Sequence, residues 1–152
     1  MDASGKKAAG AFDSRFSCYQ NASIAIAQDT WLKLEWASKW YDPLSELDIV
    51  TDHQFTAAMA GYYAFKASFN VTPMADNTSI QLRFKVNGQT ENKGGGAATA
   101  FASHAEGWTY VQASIEVYLT AGQIVFVEGY QSDAGIKTYA ARIMHWSGHR
   151  FA

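Results

Sequence analysis

His145 and His149 stand four residues apart near the end of the 152-residue chain. On a helix that spacing would suit zinc, but on a strand it leaves two imidazoles on one face about 13 Å apart, too far to share a metal. Asp42, Glu46, Asp48 and Asp52 fall close together, and hard cations favour loops rich in carboxylates. No D-x-D-x-D-G pattern accompanies them, so they read as a solvated acidic loop, with loop calcium the one cofactor left open. Lys93-Gly94-Gly95-Gly96 lacks the Gly-Lys-Ser/Thr ending and the following helix of a phosphate loop, and reads as a hairpin loop. His53 and His104 lie in loops without a partner in sequence and read as solvated. No G-x-S-x-G elbow exists, and the serines near His149 have no orienting acid nearby, so the expectation is a protein that is not an enzyme.

Aromatic residues offer binding rather than bond-making. Trp31, Trp36, Trp40 and Tyr41 come within one short stretch, and exposed rings in a loop can stack on a sugar or anchor a protein partner. Trp40 and Tyr41 are the candidate ligand or partner contacts. Trp36 is expected in the core or an interface, Trp108 in a structural role, and Trp146 close to a subunit boundary.

These residues must be held by strands. No helical periodicity persists, whereas period-two alternation recurs. In IQLRFKVNG, Ile80, Leu82, Phe84 and Val86 face one way and Gln81, Arg83 and Lys85 the other, with Asn87-Gly88 as the turn. In VQASIEVYL, Val111, Ala113, Ile115, Val117 and Leu119 alternate with Gln112, Ser114, Glu116 and Tyr118, and Thr120-Ala121-Gly122 turns the chain. Two stretches break the pattern by being apolar on both faces. QIVFVEGY sets Ile124 and Phe126 against Val125 and Val127; GYYAFKASF sets Tyr63, Phe65 and Phe69 against Tyr62 and Ala64. Since a sandwich sheet meets its core on one face only, the second face predicts a further contact, most simply another subunit. Other expected strands are RFSCYQ, SIAIA, WLKLEW and TYAARIMHW, with loops at ASKWYDPLSEL, PMADN and YQSDAGIK.

Composition agrees. Charged residues are 17% and hydrophobic ones 48%, and charge below the usual quarter suggests a covered surface. Net charge is −2 with basic residues scattered, so no nucleic-acid stripe is offered. Cys18 is the single cysteine, expected to be a small buried apolar residue outside any disulfide. The opening MDASGKKAAGAF has no apolar signal core and nothing approaching a membrane span. The expected organisation is an arm over 1–13 and one all-β domain over 14–152.

Several of these stretches, taken in order, resemble the C1q domain family: Phe16-Ser17; Phe55-Thr56 followed by Ala60-Gly61-Tyr62-Tyr63-Ala64-Phe65; Val86-Asn87-Gly88; Tyr118-Leu119-Thr120-Ala121-Gly122-Gln123-Ile124-Val125; and Trp146-Ser147-Gly148-His149. The wording is similar to bacterial and bacteriophage members. Gln123 stands where the family usually has an acid, Met59 where proline is common, and no collagen-like stalk is present. The resemblance implies a two-sheet antiparallel jelly roll of the C1q and tumour-necrosis-factor type, with about ten strands, assembled as a homotrimer around an apolar axis. Phe16, Tyr62, Tyr63, Phe65, Tyr118, Val125, Val127 and Trp146 are then divided between core and trimer interface. The expected setting is a virion surface, reached without a signal peptide from the host cytoplasm. There the chain is a bacteriophage capsid-decoration or fibre-head protein, held to a capsid or tail carrier through Lys6, Lys7 and Phe12. The alternative is an adhesion module reading a host cell-surface glycan or receptor. Neither nucleic acid nor membrane is an expected partner.

Overall fold

The computed structural model describes residues 14–91, 96–103, 107–139 and 143–152, and only the backbone of Thr90 and Glu91. The arm residues Lys6, Lys7 and Phe12, together with His104 and Lys93-Gly94-Gly95, lie outside the described residues. Among those described there is no helix, and fourteen strands form two antiparallel sheets.

In chain order the strands are β1 (Arg15–Gln20), β2 (Ile24–Ile26), β3 (Leu32–Lys33), β4 (Ser38–Tyr41), β5 (Leu47–Asp48), β6 (Gln54–Thr56) and β7 (Gly61–Met74). They continue with β8 (Ser79–Val86), β9 (Gln89–Glu91), β10 (Ala97–Phe101), β11 (Gly107–Leu119), β12 (Ile124–Gln131), β13 (Lys137–Tyr139) and β14 (Met144–Arg150). The first sheet runs β11-β7-β14-β1-β4, with β13 and β2 continuing beside the far end of β7. The second runs β10-β8-β12-β6-β5, with β9 on β8 and β3 on β12. Every pairing is antiparallel, and most neighbours are not consecutive in sequence, so the chain crosses repeatedly from one sheet to the other. Asn87 and Gly88 supply the positive φ of one such turn (46° and 80°), as their types require.

Alternation decides which side chains fill the space between the sheets. Along β8 each second residue from Ile80 to Val86 is buried, and along β11 the buried set is Thr109, Val111, Ala113, Ile115 and Leu119. The middle of the core is aromatic. Phe16 stacks on Phe55 at 5.2 Å and meets Trp146 edge-on at 4.8 Å, while Phe55 meets Phe65 at 5.2 Å. Such pairs add about 0.5–1.5 kcal/mol each beyond the area they bury. Gly148 makes room for them. Its register partners are Phe16 on β1 and Phe65 on β7, and a Cβ there would come within 2.8 Å of Phe16 Cε1 and 2.7 Å of Phe65 Cε1.

Several expectations change. WLKLEW contributes only the two-residue β3, and ASKWYDPLSEL, expected as loop, holds β4, because Ser38–Tyr41 finds a partner in the edge of β1, and the first residue of β5, which pairs with β6. TYAARIMHW is divided between β13 and β14. Trp146 lies wholly in the core, stacked near Trp36 at 5.6 Å, and not at the molecular surface. Of the two apolar faces of QIVFVEGY, Val125 and Val127 are core, while Ile124 and Phe126 are partly buried on the other side, where Lys33 Nζ sits 4.4 Å from the Phe126 ring centroid.

Candidate functional site

The two sets of rings in GYYAFKASF part company across β7. Tyr63, Phe65 and Phe69 are buried, and Tyr62 points the other way, half-exposed on the outer face of the first sheet. Of the residues divided between core and interface, Phe16, Tyr63, Phe65, Val125, Val127 and Trp146 are core, and Tyr62 and Tyr118 are surface. Those two are directly opposite on β7 and β11. Their rings meet edge-on at 5.1 Å, and Phe151 adds a third ring 6.1 Å from Tyr62. The backbone fixes this cluster: Tyr62 N–H donates to Ala152 O at 2.7 Å, and Phe151 N–H donates to Tyr62 O at 2.9 Å.

A second aromatic corner lies on the same face. Trp40 of β4 is 57% exposed and rests against Tyr19 at 5.2 Å and His145 at 5.0 Å. His145 is held there by its backbone N–H, which donates to Ser68 Oγ at 2.9 Å. Facing this stack from β11 is half-exposed Tyr110, whose hydroxyl accepts from Gln112 Nε2 at 2.6 Å. A hollow of about 270 Å³ separates the two, lined also by Ser17, Lys66 and Ser147. Tyr41 is half-exposed at the edge, with the Arg15 guanidinium 5.9 Å above its ring.

Between the corners the face is polar. Lys66 on β7 and Arg15 on β1 share it with the imidazoles of His145 and His149 on β14 and with a single carboxylate among the described residues, Glu116 of β11. His145 and His149 share this face as the strand spacing requires. Among the described residues no three His, Cys, Asp or Glu side chains are grouped to hold a metal ion.

Asp42 and Glu46 are structural and not solvated as expected, while Asp52 is exposed. Asp42 pairs with Lys39 at 2.8 Å and accepts the N–H groups of Glu46 and Leu47. Glu46 is buried, accepting from Ser14 Oγ at 2.6 Å and from Ala58 N–H at 2.8 Å. Asp48 accepts from Thr51 and Val50 N–H, which hold its carboxyl below the usual range. His53 is also employed: its Nδ1 accepts the Trp36 N–H at 3.2 Å. Sequence reasoning missed all of these: the Glu46 and His53 bonds join segments that only the fold brings together, whereas those of Asp42 and Asp48 close local turns in which a short carboxylate accepts backbone N–H groups two to five residues on. A larger hollow, about 630 Å³, is lined by Lys39, Glu46 and Asp48 together with Leu44, Ile49 and Val50. Its charged groups are engaged within the chain, Lys39 with Asp42 and Leu47 O, Glu46 with Ser14 and Ala58, and Asp48 with Val50 and Thr51, so the convergent polar and aromatic side chains of the first sheet mark the better site. Cys18 is buried, donates to Trp146 O at 3.5 Å, and burial pushes its thiol up, leaving it neutral and unreactive.

No family model matches the chain, and no curated protein matches it. Solved structures do. The globular domain of zebrafish complement 1qA protein superposes with a TM-score of 0.58 at 15% identity, over 91% of this chain and 98% of that one. Eiger TNF from S. frugiperda superposes with a TM-score of 0.66 at 12% identity, over 93% of each chain. The fold is the jelly roll of the C1q and TNF type.

Proposed function

We propose that this chain is a non-enzymatic head that assembles as a homotrimer through the outer face of its first sheet. We place it on a virion surface, as a bacteriophage capsid-decoration or fibre-head protein docked to its carrier by residues 1–13. The observation that carries the assembly is the outer face itself. Tyr62, Tyr118, Tyr110 and Trp40 are each about half-exposed on one sheet, on the side away from the core. A half-buried aromatic cluster fixed by backbone hydrogen bonds is pre-organised for a partner, because little side-chain freedom is lost on docking. The C1q family that the sequence resembles assembles as trimers, which supports a second copy as that partner.

The ends of the sandwich support the docked arrangement. Ser14 and Ala152 both lie at one end, where Arg150 N–H donates to Ser14 O at 2.8 Å and Tyr62 N–H donates to Ala152 O. The loops around Asp76 and Asp133 lie at the other, joined by Ala75 N–H donating to Asp133 at 2.6 Å. β7 runs between the two ends, and its fourteen residues span about 43 Å at the usual strand rise. An arm engaged at Ser14 therefore leaves the far loops pointing outward.

Light scattering and sedimentation of the full chain at micromolar concentration are expected to give three copies, and a monomer would overturn the reading. Deleting residues 1–13 is expected to abolish carrier binding with the assembly intact; unchanged binding would refute docking by the arm. Adhesion to a host glycan or receptor is the second reading, favoured by Trp40 at 57% and Tyr41 at 49% exposure. It requires that Trp40→Ala abolish glycan-array binding without dissociating the assembly.

A further inference from the structure

Charge on the outer face of the first sheet is arranged across the strands and not scattered. Register places Glu116 of β11 opposite Ala64 of β7, Ala64 opposite His149 of β14, and His149 opposite Arg15 of β1. One row thus carries a carboxylate at one end and a guanidinium at the other, with a small residue and an imidazole between. Three strand spacings separate the ends by about 14 Å, so the two cannot pair within one chain. The pairs Lys39 with Asp42, Arg83 with Glu128, and Lys137 with Asp133 use neither Glu116 nor Arg15.

We infer that Glu116 of one copy pairs with Arg15 of the next, and that this pair sets the register in which the subunits turn about their axis. The inference rests on the trimeric reading above and deepens it by naming the contact that fixes the geometry. In a head-to-tail ring, the β11 side of one copy meets the β14 and β1 side of its neighbour. Each copy then gives one carboxylate and receives one guanidinium, and closure leaves no charge of the pair over. Lys66 lies two residues from Ala64 on β7 and lines the same hollow as Glu116; a register that brings neither Lys66 nor Arg15 to Glu116 would take the carboxylate from water without a partner, which costs far more than the pair contributes. The pair therefore selects among packings more than it adds affinity. Arg15 is suited to the role: its planar fork can hold a carboxylate with two hydrogen bonds, and the Tyr41 ring 5.9 Å below it limits where it can go. Both side chains are exposed in the single chain, so exchanging them leaves the core untouched.

A charge swap tests the pairing. Wild type, Glu116→Arg, Arg15→Glu and the double variant are compared by sedimentation at low and moderate salt, with circular dichroism as the folding control. Each single swap sets like charges against each other and is expected to weaken the assembly at least about 30-fold. The double swap is expected to recover to within about fivefold of wild type, because the pair is re-formed with its sign reversed. If wild type forms trimers and the single swaps leave them unchanged, the pair is refuted and the trimeric reading survives. If both single swaps weaken the trimer and the double swap does not recover, the two residues are not partners and the inference is overturned. A monomeric wild type would instead overturn the trimeric reading itself.

Discussion

Gly148→Ala probes the aromatic packing beneath the first sheet. The backbone at Gly148 does not have a positive φ, so a side chain there meets no conformational penalty; its cost is steric. The new Cβ would sit 2.7 Å from Phe65 Cε1 and 2.8 Å from Phe16 Cε1, with Phe65 Cδ1 closer still. Carbon atoms settle at about 3.5–4.0 Å, so both rings must retreat by roughly 1 Å. Neither is free to do so: Phe16 is pinned by Phe55 at 5.2 Å and Trp146 at 4.8 Å, and Phe65 by Phe55 at 5.2 Å. Overpacking of this kind costs about 1–3 kcal/mol, less the ~0.5–1 kcal/mol that replacing glycine in a strand returns. A net loss of about 1–2 kcal/mol is expected, equivalent to a Tm lowered by roughly 2–8 °C for a domain of this size. Urea unfolding with an unchanged m-value would assign the loss to the native state. Adding Phe65→Leu to Gly148→Ala should cost less than the sum of the two single changes, because the smaller side chain vacates the clash. A Gly148→Ala protein as stable as wild type, or an additive double variant, would refute the packing argument.

Other consequences follow from the same contacts. Replacing His53 by Ala removes the acceptor of the Trp36 N–H and places alanine at a φ of 46°, so a loss of about 1–2 kcal/mol is expected by thermal melting, with His53→Asn milder. Burial raises the Asp133 carboxyl, but Lys137 at 2.9 Å and the N–H groups of Ala75 and Ala134 outweigh it and hold the group below its ordinary value. Its stabilisation is therefore present above the unfolded value of about 3.9 and lost as pH falls through the folded one. Asp133→Asn should cost about 1–3 kcal/mol at pH 7, and the gap from wild type should close in melts below about pH 4; a gap constant with pH would count against the assignment. Tyr118→Glu puts a carboxylate beside Tyr62 and is expected to shift sedimentation toward the monomer with the far-ultraviolet spectrum unchanged. A trimer as tight as wild type would remove this ring cluster from the interface.

Much of the fold was legible in the sequence because strand parity is a local property. Ile80 to Val86 and Val111 to Leu119 declare a buried and an exposed set through alternation alone, and Asn87-Gly88 declares its turn through the φ it tolerates. The same parity separated Tyr62 from Tyr63. What it could not assign was the identity of each face. Val125 and Phe126 look alike in sequence, yet one is core and the other is partly buried on the opposite side against Lys33, which a different strand delivers.

The sequence by itself determined an all-β sandwich, its principal strands, and two ring sets on opposite faces of β7, since these follow from covalent geometry and side-chain type. Only the tertiary structure decided that Tyr63, Phe65 and Trp146 fill the core while Tyr62, Tyr118 and Trp40 form an outer face. It also decided that Asp42, Glu46 and His53 are bonded and not solvated, and that Glu116 and Arg15 end one row. The physical reason is range: alternation is fixed within a few residues, whereas burial, charge rows and the partners of Glu46 and His53 are set by segments brought together from distant parts of the chain.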